Sequence, residues 1–118
     1  MKKTIAAVVL SSTIVLALSG LSSGEMEKQD YGAALFGKHC AACHPNGGNI
    51  MNPQKTLHRK DRERNNIVTA EEIVQKMRNP GPSPTHPQEW AGMKMFDEQK
   101  ISNDDARKIA DYIIKIFE

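Results

Sequence analysis

Cys40-Ala41-Ala42-Cys43-His44 decides how this chain is read. These five residues contain both cysteines of the 118-residue sequence and set a histidine directly after the second. Cysteines at i and i+3 lie on one face of a helical turn. Two sulfurs so placed reach two vinyl groups along one edge of a porphyrin and form thioethers, and the next residue turns an imidazole toward iron. The pattern Cys-x-x-Cys-His is accordingly an attachment site for a c-type haem. Two other uses of the pair are weaker. A thiol–disulfide site usually accompanies a βαβ pattern, which is missing here. A structural zinc would draw its further ligands from histidines elsewhere, and His44 has poor geometry for sharing a tetrahedral site with its own neighbours.

Upstream of the motif the chain begins as an export signal does. Lys2 and Lys3 precede an apolar run from Ile5 to Leu18, interrupted by Ser11, Ser12 and Thr13, and small polar residues follow at Ser19, Gly20, Ser22, Ser23 and Gly24. This three-part order predicts a cleaved leader over 1–24, cut after Ser19 or after Gly24, and one domain over 25–118. The apolar run is short for a bilayer span, which ranks an uncleaved anchor second. No cysteine directly follows the run, so a lipid anchor is set aside. The expected location is the periplasm, with no stable membrane association once the leader is removed.

The whole chain carries 16 basic and 14 acidic residues. Losing Lys2 and Lys3 with the leader leaves the two signs balanced, before any haem propionates are counted. Nothing here suggests nucleic-acid binding. Arg59, Lys60, Arg62 and Arg64 alternate with Asp61 and Glu63 and are expected on a solvated helix face. A patch docking an acidic partner ranks behind that.

Helix signals dominate and strand signals are nearly absent. Tyr31 to Ala42 holds good helix formers, with Asp30 as candidate N-cap, and runs straight into the cysteine motif. Pro45-Asn46-Gly47-Gly48-Asn49 breaks it into a tight loop. Lys55 to Arg64 is read as a short polar helix. Thr69-Ala70-Glu71-Glu72 matches a capping box, followed by Ile73, Val74 and Met77 at helical spacing. Asn79-Pro80-Gly81-Pro82 ends that helix. Four prolines between Pro80 and Trp90 make that stretch irregular. Ser102 caps a last helix with Asp104 and Asp105 in its first turn, and Ala106, Ile109, Ile113 and Ile116 recur along one face, widened by Ala110, Tyr112 and Phe117.

His44 fills one axial position of a bound haem. A methionine thioether opposite it would favour reduced iron and raise the potential relative to two histidines. Met26 sits near the start, Met51 is too close to the haem loop to cross to the far side, and Met77 falls in an apolar stripe. Met93 and Met95 lie in the irregular stretch before the last helix, where a chain can run along the opposite face. Spacing alone does not separate these two. Of the histidines, His58 is expected on the polar helix, His39 on the wrong side of Cys40, and His86 in the proline-rich stretch as a lesser candidate. A backbone carbonyl between Gly48 and Pro53 is expected to hold the other ring nitrogen of His44.

From Asp30 onward the chain resembles the class I monohaem cytochromes c of the short bacterial and algal kind. The resemblance rests on Tyr31-Gly32-Ala33-Ala34-Leu35-Phe36, Cys40-Ala41-Ala42-Cys43-His44, Gly47-Gly48-Asn49, Lys55-Thr56-Leu57, Gly92-Met93-Lys94-Met95-Phe96 and Ile109-Ala110-Asp111-Tyr112-Ile113. It implies an all-α fold of about three to five helices around one covalent haem c. In that family the ligand methionine often stands three residues before a phenylalanine. That implies Met93, ahead of Phe96, as the second ligand, with Met95 in reserve as a packing residue. It also implies a close crossing of the first and last helices at Gly32, Phe36 and Tyr112. Two departures stand out: the long proline-rich stretch to Trp90, and Lys94 between the methionines.

Iron held on both sides by protein groups passes single electrons and performs no substrate chemistry. The expected function is therefore an electron carrier, not an enzyme, that meets its redox partners transiently as a monomer. The alternative is a haem module that binds or senses a small gas ligand, which requires an open sixth position.

Overall fold

A computed structural model describes residues 23–81 and 92–118, which form four α-helices and one 3₁₀ turn with no strand. Helix α1 spans Ser23–His39, the 3₁₀ turn Pro45–Gly47, α2 Arg59–Arg64, α3 Ala70–Arg78 and α4 Asn103–Ile116. The all-α expectation holds. No helix among the described residues is long and apolar enough to cross a membrane. The leader up to residue 22 and the stretch 82–91, with His86 and Trp90, lie outside the described residues, and so does the side chain of Met26.

Two helix starts form as their residues dictate. The Thr69 hydroxyl accepts from the Glu72 amide at 3.2 Å, while the Glu72 carboxylate accepts from the amides of Thr69 and Val68 at 2.8 Å each. These bonds satisfy donors that the first turn leaves without helical partners, and they hold the Glu72 carboxyl below its ordinary pKa. Ser102 caps α4 by accepting from the Asp105 amide at 3.2 Å. Asp30 is not a cap. It lies inside α1, preceded there by the good helix formers Glu25, Met26, Glu27, Lys28 and Gln29.

Packing is organised by a close crossing of α1 and α4. A Cβ at Gly32 would stand 2.8 Å from the Lys108 carbonyl and 3.1 Å from the Tyr112 Cβ, so only glycine lets the two backbones meet here. The Phe36 ring lies 5.4 Å from both Tyr112 and Phe117, in tilted pairs of the kind that adds about 0.5–1.5 kcal/mol beyond area burial. Ala106, Ile109, Ala110 and Ile113 fill the seam from α4, and Ile73 and Met77 close it from α3. The apolar stripe of α4 stops one residue early. Ile116 is exposed because the helix ends there, and Phe117 turns inward from the following residue.

Arg62 also departs from expectation. It is 5% exposed, the one buried charged side chain among the described residues. Its Nε donates to the Leu57 carbonyl at 2.8 Å and its Nη1 to the Val68 carbonyl at 3.3 Å. Those carbonyls replace water, and burial lowers the pKa of the guanidinium. Arg59 and Arg64 stay outside, paired with Glu63 and Asp61.

Candidate functional site

The cysteine motif continues the end of α1 as one further turn. The Cys40 and Ala41 amides both donate to the Phe36 carbonyl, at 2.8 and 3.0 Å. The amides of Cys43 and His44 donate to the Cys40 carbonyl at 3.1 and 2.9 Å. Cys40 and Cys43 thus stand at the two ends of a single turn. The two cysteines form no disulfide with each other; Cys40 is buried and Cys43 exposed. Burial, reinforced by the neighbouring Cys43, pushes the Cys40 thiol up to about 11. No group of three metal-ligating side chains of the zinc type occurs among the described residues.

His44 is oriented from its own loop. Its Nδ1 donates to the Gly48 carbonyl at 2.8 Å. A carbonyl only accepts, so Nδ1 carries the proton and Nε2 is the nitrogen left for a metal. The expected acceptor segment, Gly48 to Pro53, contains this carbonyl at its first residue. The loop around it is densely bonded. The Gly47 amide donates to the His44 carbonyl, the Gly48 amide to Pro45, the Ile50 amide to Cys43 and the Leu57 amide to Gly47, at 3.2, 2.8, 3.1 and 2.7 Å. Gly47 has φ +76°, and a Cβ there would lie 2.5 Å from the Phe117 ring. Asn49 binds the loop from inside. Its Oδ1 accepts from the Met51 and Asn52 amides at 3.0 Å each, and its Nδ2 donates to the Lys55 carbonyl at 2.9 Å. This staple went unassigned in the sequence, although an asparagine one residue past a Gly-Gly pair is a turn signal.

The segment Gly92 to Phe96 lies on the way from α3 to α4. Gly92 turns the chain at φ +70°, and a Cβ there would touch the Met51 side chain at 3.4 Å. That contact brings the segment beside the haem loop. Met93 is partly buried against the core, whereas Met95 is 57% exposed and Lys94 is exposed. The Phe96 amide donates to the Met77 carbonyl at 3.0 Å. Met77 is buried, in keeping with its place in the apolar stripe. His39 packs edge-on against Phe96 with ring centroids 6.3 Å apart, and the exposed His58 stands edge-on to Phe117 at 5.7 Å.

These residues suit a haem. Two cysteines share one turn, one imidazole is fixed through its Nδ1, and a methionine segment runs beside the loop. Ile50 and Met51, in the loop that follows His44, are exposed apolar side chains.

Comparison with known proteins agrees. Residues 29–116 match the family model for cytochrome c. The chain is 35% identical to cytochrome c6 of Euglena viridis over 85 residues, covering 70% of this chain and 85% of that one. It is 42% identical over 67 residues to the chloroplastic cytochrome c6 of Arabidopsis thaliana, covering 52% of this chain but spanning only 38% of that relative. The solved structure of OmcF, the outer membrane cytochrome F of Geobacter sulfurreducens, superposes with a TM-score of 0.64 at 44% identity, over 74% of this chain and 99% of that one. The chain belongs to the cytochrome c family, and its cofactor is a single covalently attached haem c.

Proposed function

We propose that this protein is an exported one-electron carrier in which Cys40 and Cys43 tether the haem and His44 and Met93 bind its iron. The weight rests on one arrangement. The His44 Nδ1–H is committed to Gly48 on the same turn that carries both free cysteines, so the ring has one orientation and one nitrogen to offer. Met93 is favoured over Met95 by burial, since a ligand aimed inward packs against the core and an exposed neighbour does not. Bound there, the haem supplies a one-electron iron couple. The chain's own residues keep water and substrates from the metal by occupying both axial positions, which is why no enzymatic step is assigned.

The periplasm is the proposed location. The leader-like N-terminus supports it, as does similarity to a Geobacter protein named for the outer membrane. Balanced charge on the mature chain favours weak, short-lived encounters with donor and acceptor by a monomer. The test is spectroscopic. Protein matured with haem shows the mass of one macrocycle and a near-infrared sulfur-to-iron band, and Met93→Ala abolishes the band while Met95→Ala retains it. A colourless exported protein would end the proposal. A band that survives Met93→Ala would remove Met93 from it.

A further inference from the structure

Arg78 is the last residue of α3, and its side chain reaches across to the segment that follows Met93. Nη1 donates to the Phe96 carbonyl at 2.7 Å, and Nη2 donates to the Ile101 carbonyl at 2.9 Å and to the Asn103 Oδ1 at 2.9 Å. The Phe96 amide is already bound to the Met77 carbonyl. Both backbone groups of Phe96 are therefore held by two adjacent residues at one end of α3. The same guanidinium holds the last loop residues before α4 and the first residue of that helix. His39 closes the other side of Phe96 with an edge-on ring contact.

We infer that Arg78 is a positioning residue for the ligand segment: by fixing Phe96, it confines Met93 to the haem face. The inference rests on Met93 being the axial ligand. Three residues of chain span at most about 10 Å, so Met93 cannot move farther than that from the anchored Phe96. On its other side Gly92 turns the chain against Met51. A guanidinium suits the task because its planar fork serves several acceptors from one rigid group, and hydrogen bonds from a charged donor are stronger than neutral ones. A lysine there would have a single point of attachment. The bland role for Arg78, tying α3 to α4 for stability alone, predicts that ligand exchange at iron is indifferent to its loss.

The experiment titrates imidazole into the oxidised, haem-loaded protein and follows loss of the sulfur-to-iron band, with thermal unfolding measured in parallel. Arg78→Met, which keeps most of the volume, should raise the apparent imidazole affinity about tenfold, and Arg78→Lys should fall between Arg78→Met and the parent. Ile113→Val, a core change that makes no bond to the segment, should lower the melting temperature without moving imidazole affinity. The inference is overturned if Arg78→Met and Ile113→Val leave imidazole affinity equally unchanged. If Arg78→Met does not fold, Arg78→Lys decides in the same way. Met93→Ala separates the two claims: band lost there with affinity unmoved in Arg78→Met rejects the clamp and keeps the ligand, while a band retained there rejects both.

Discussion

The two segments proposed to face the haem are built in opposite ways. The proximal one, Cys40 to Leu57, is held by bonds between residues close in sequence: Cys43 and His44 to Cys40, His44 to Gly48, and Asn49 to Met51, Asn52 and Lys55. The distal one, Gly92 to Phe96, takes its restraints among the described residues from far away, at Met77 and Arg78 on α3 and at His39 on α1. A locally bonded segment keeps its shape whatever its neighbours do. A remotely held one is only as firm as the elements that hold it, and it is the segment that carries the proposed ligand Met93.

Two glycines with the same left-handed backbone break or support this contrast. Gly47→Ala should have the largest effect. The new methyl meets the Phe117 ring head-on at a φ that already disfavours alanine, and the two costs together come to about 3 kcal/mol in chemical denaturation. Asn49→Ala should follow at about 2 kcal/mol, since it leaves two loop amides and one carbonyl without their partner. Gly92→Ala, at φ +70° but facing the pliant Met51 side chain at ordinary contact distance, should cost only about 1 kcal/mol. Its mark should be weaker retention of the sulfur-to-iron band against added imidazole. Equal losses at Gly47 and Gly92 would erase the distinction between the segments.

The smallest effect concerns acid. The Thr56 hydroxyl donates to the Asp61 carboxylate at 2.6 Å and, with Arg64 nearby, holds its pKa below the usual carboxylate value. A carboxyl whose folded pKa is depressed adds stability above its unfolded pKa and loses it as pH falls through the folded one. The proximal wall should therefore soften on the acid side of the normal carboxylate range. Asp61→Asn should flatten that part of the stability–pH curve, while leaving the distal band unmoved at neutral pH.

This contrast also explains what could be read from residues alone. The haem turn, the capping box at Thr69, the cap at Ser102 and the stripe of α4 all depend on neighbours within a few positions, and each was visible as a short pattern. Arg62 was not, because its acceptors are the carbonyls of Leu57 and Val68, and backbone groups leave no trace in side-chain chemistry. Arg78 was hidden for a similar reason, with partners that begin 18 residues downstream. Asp30 reads as a cap when judged from the residue itself, while the helix formers before it carry α1 through its position. Met93 and Met95 tie on spacing, and the family resemblance through Phe96 picks Met93; their difference in burial is a property of the folded chain.

Gly32 against Lys108 and Tyr112 joins the two ends of the described fold, so every loop between α1 and α4 sits inside a circuit closed without a covalent bond. A single protease cut between α2 and α3 therefore yields two fragments that remain clasped. For such a nicked molecule, separation of the fragments, rather than the cut itself, sets its lifetime.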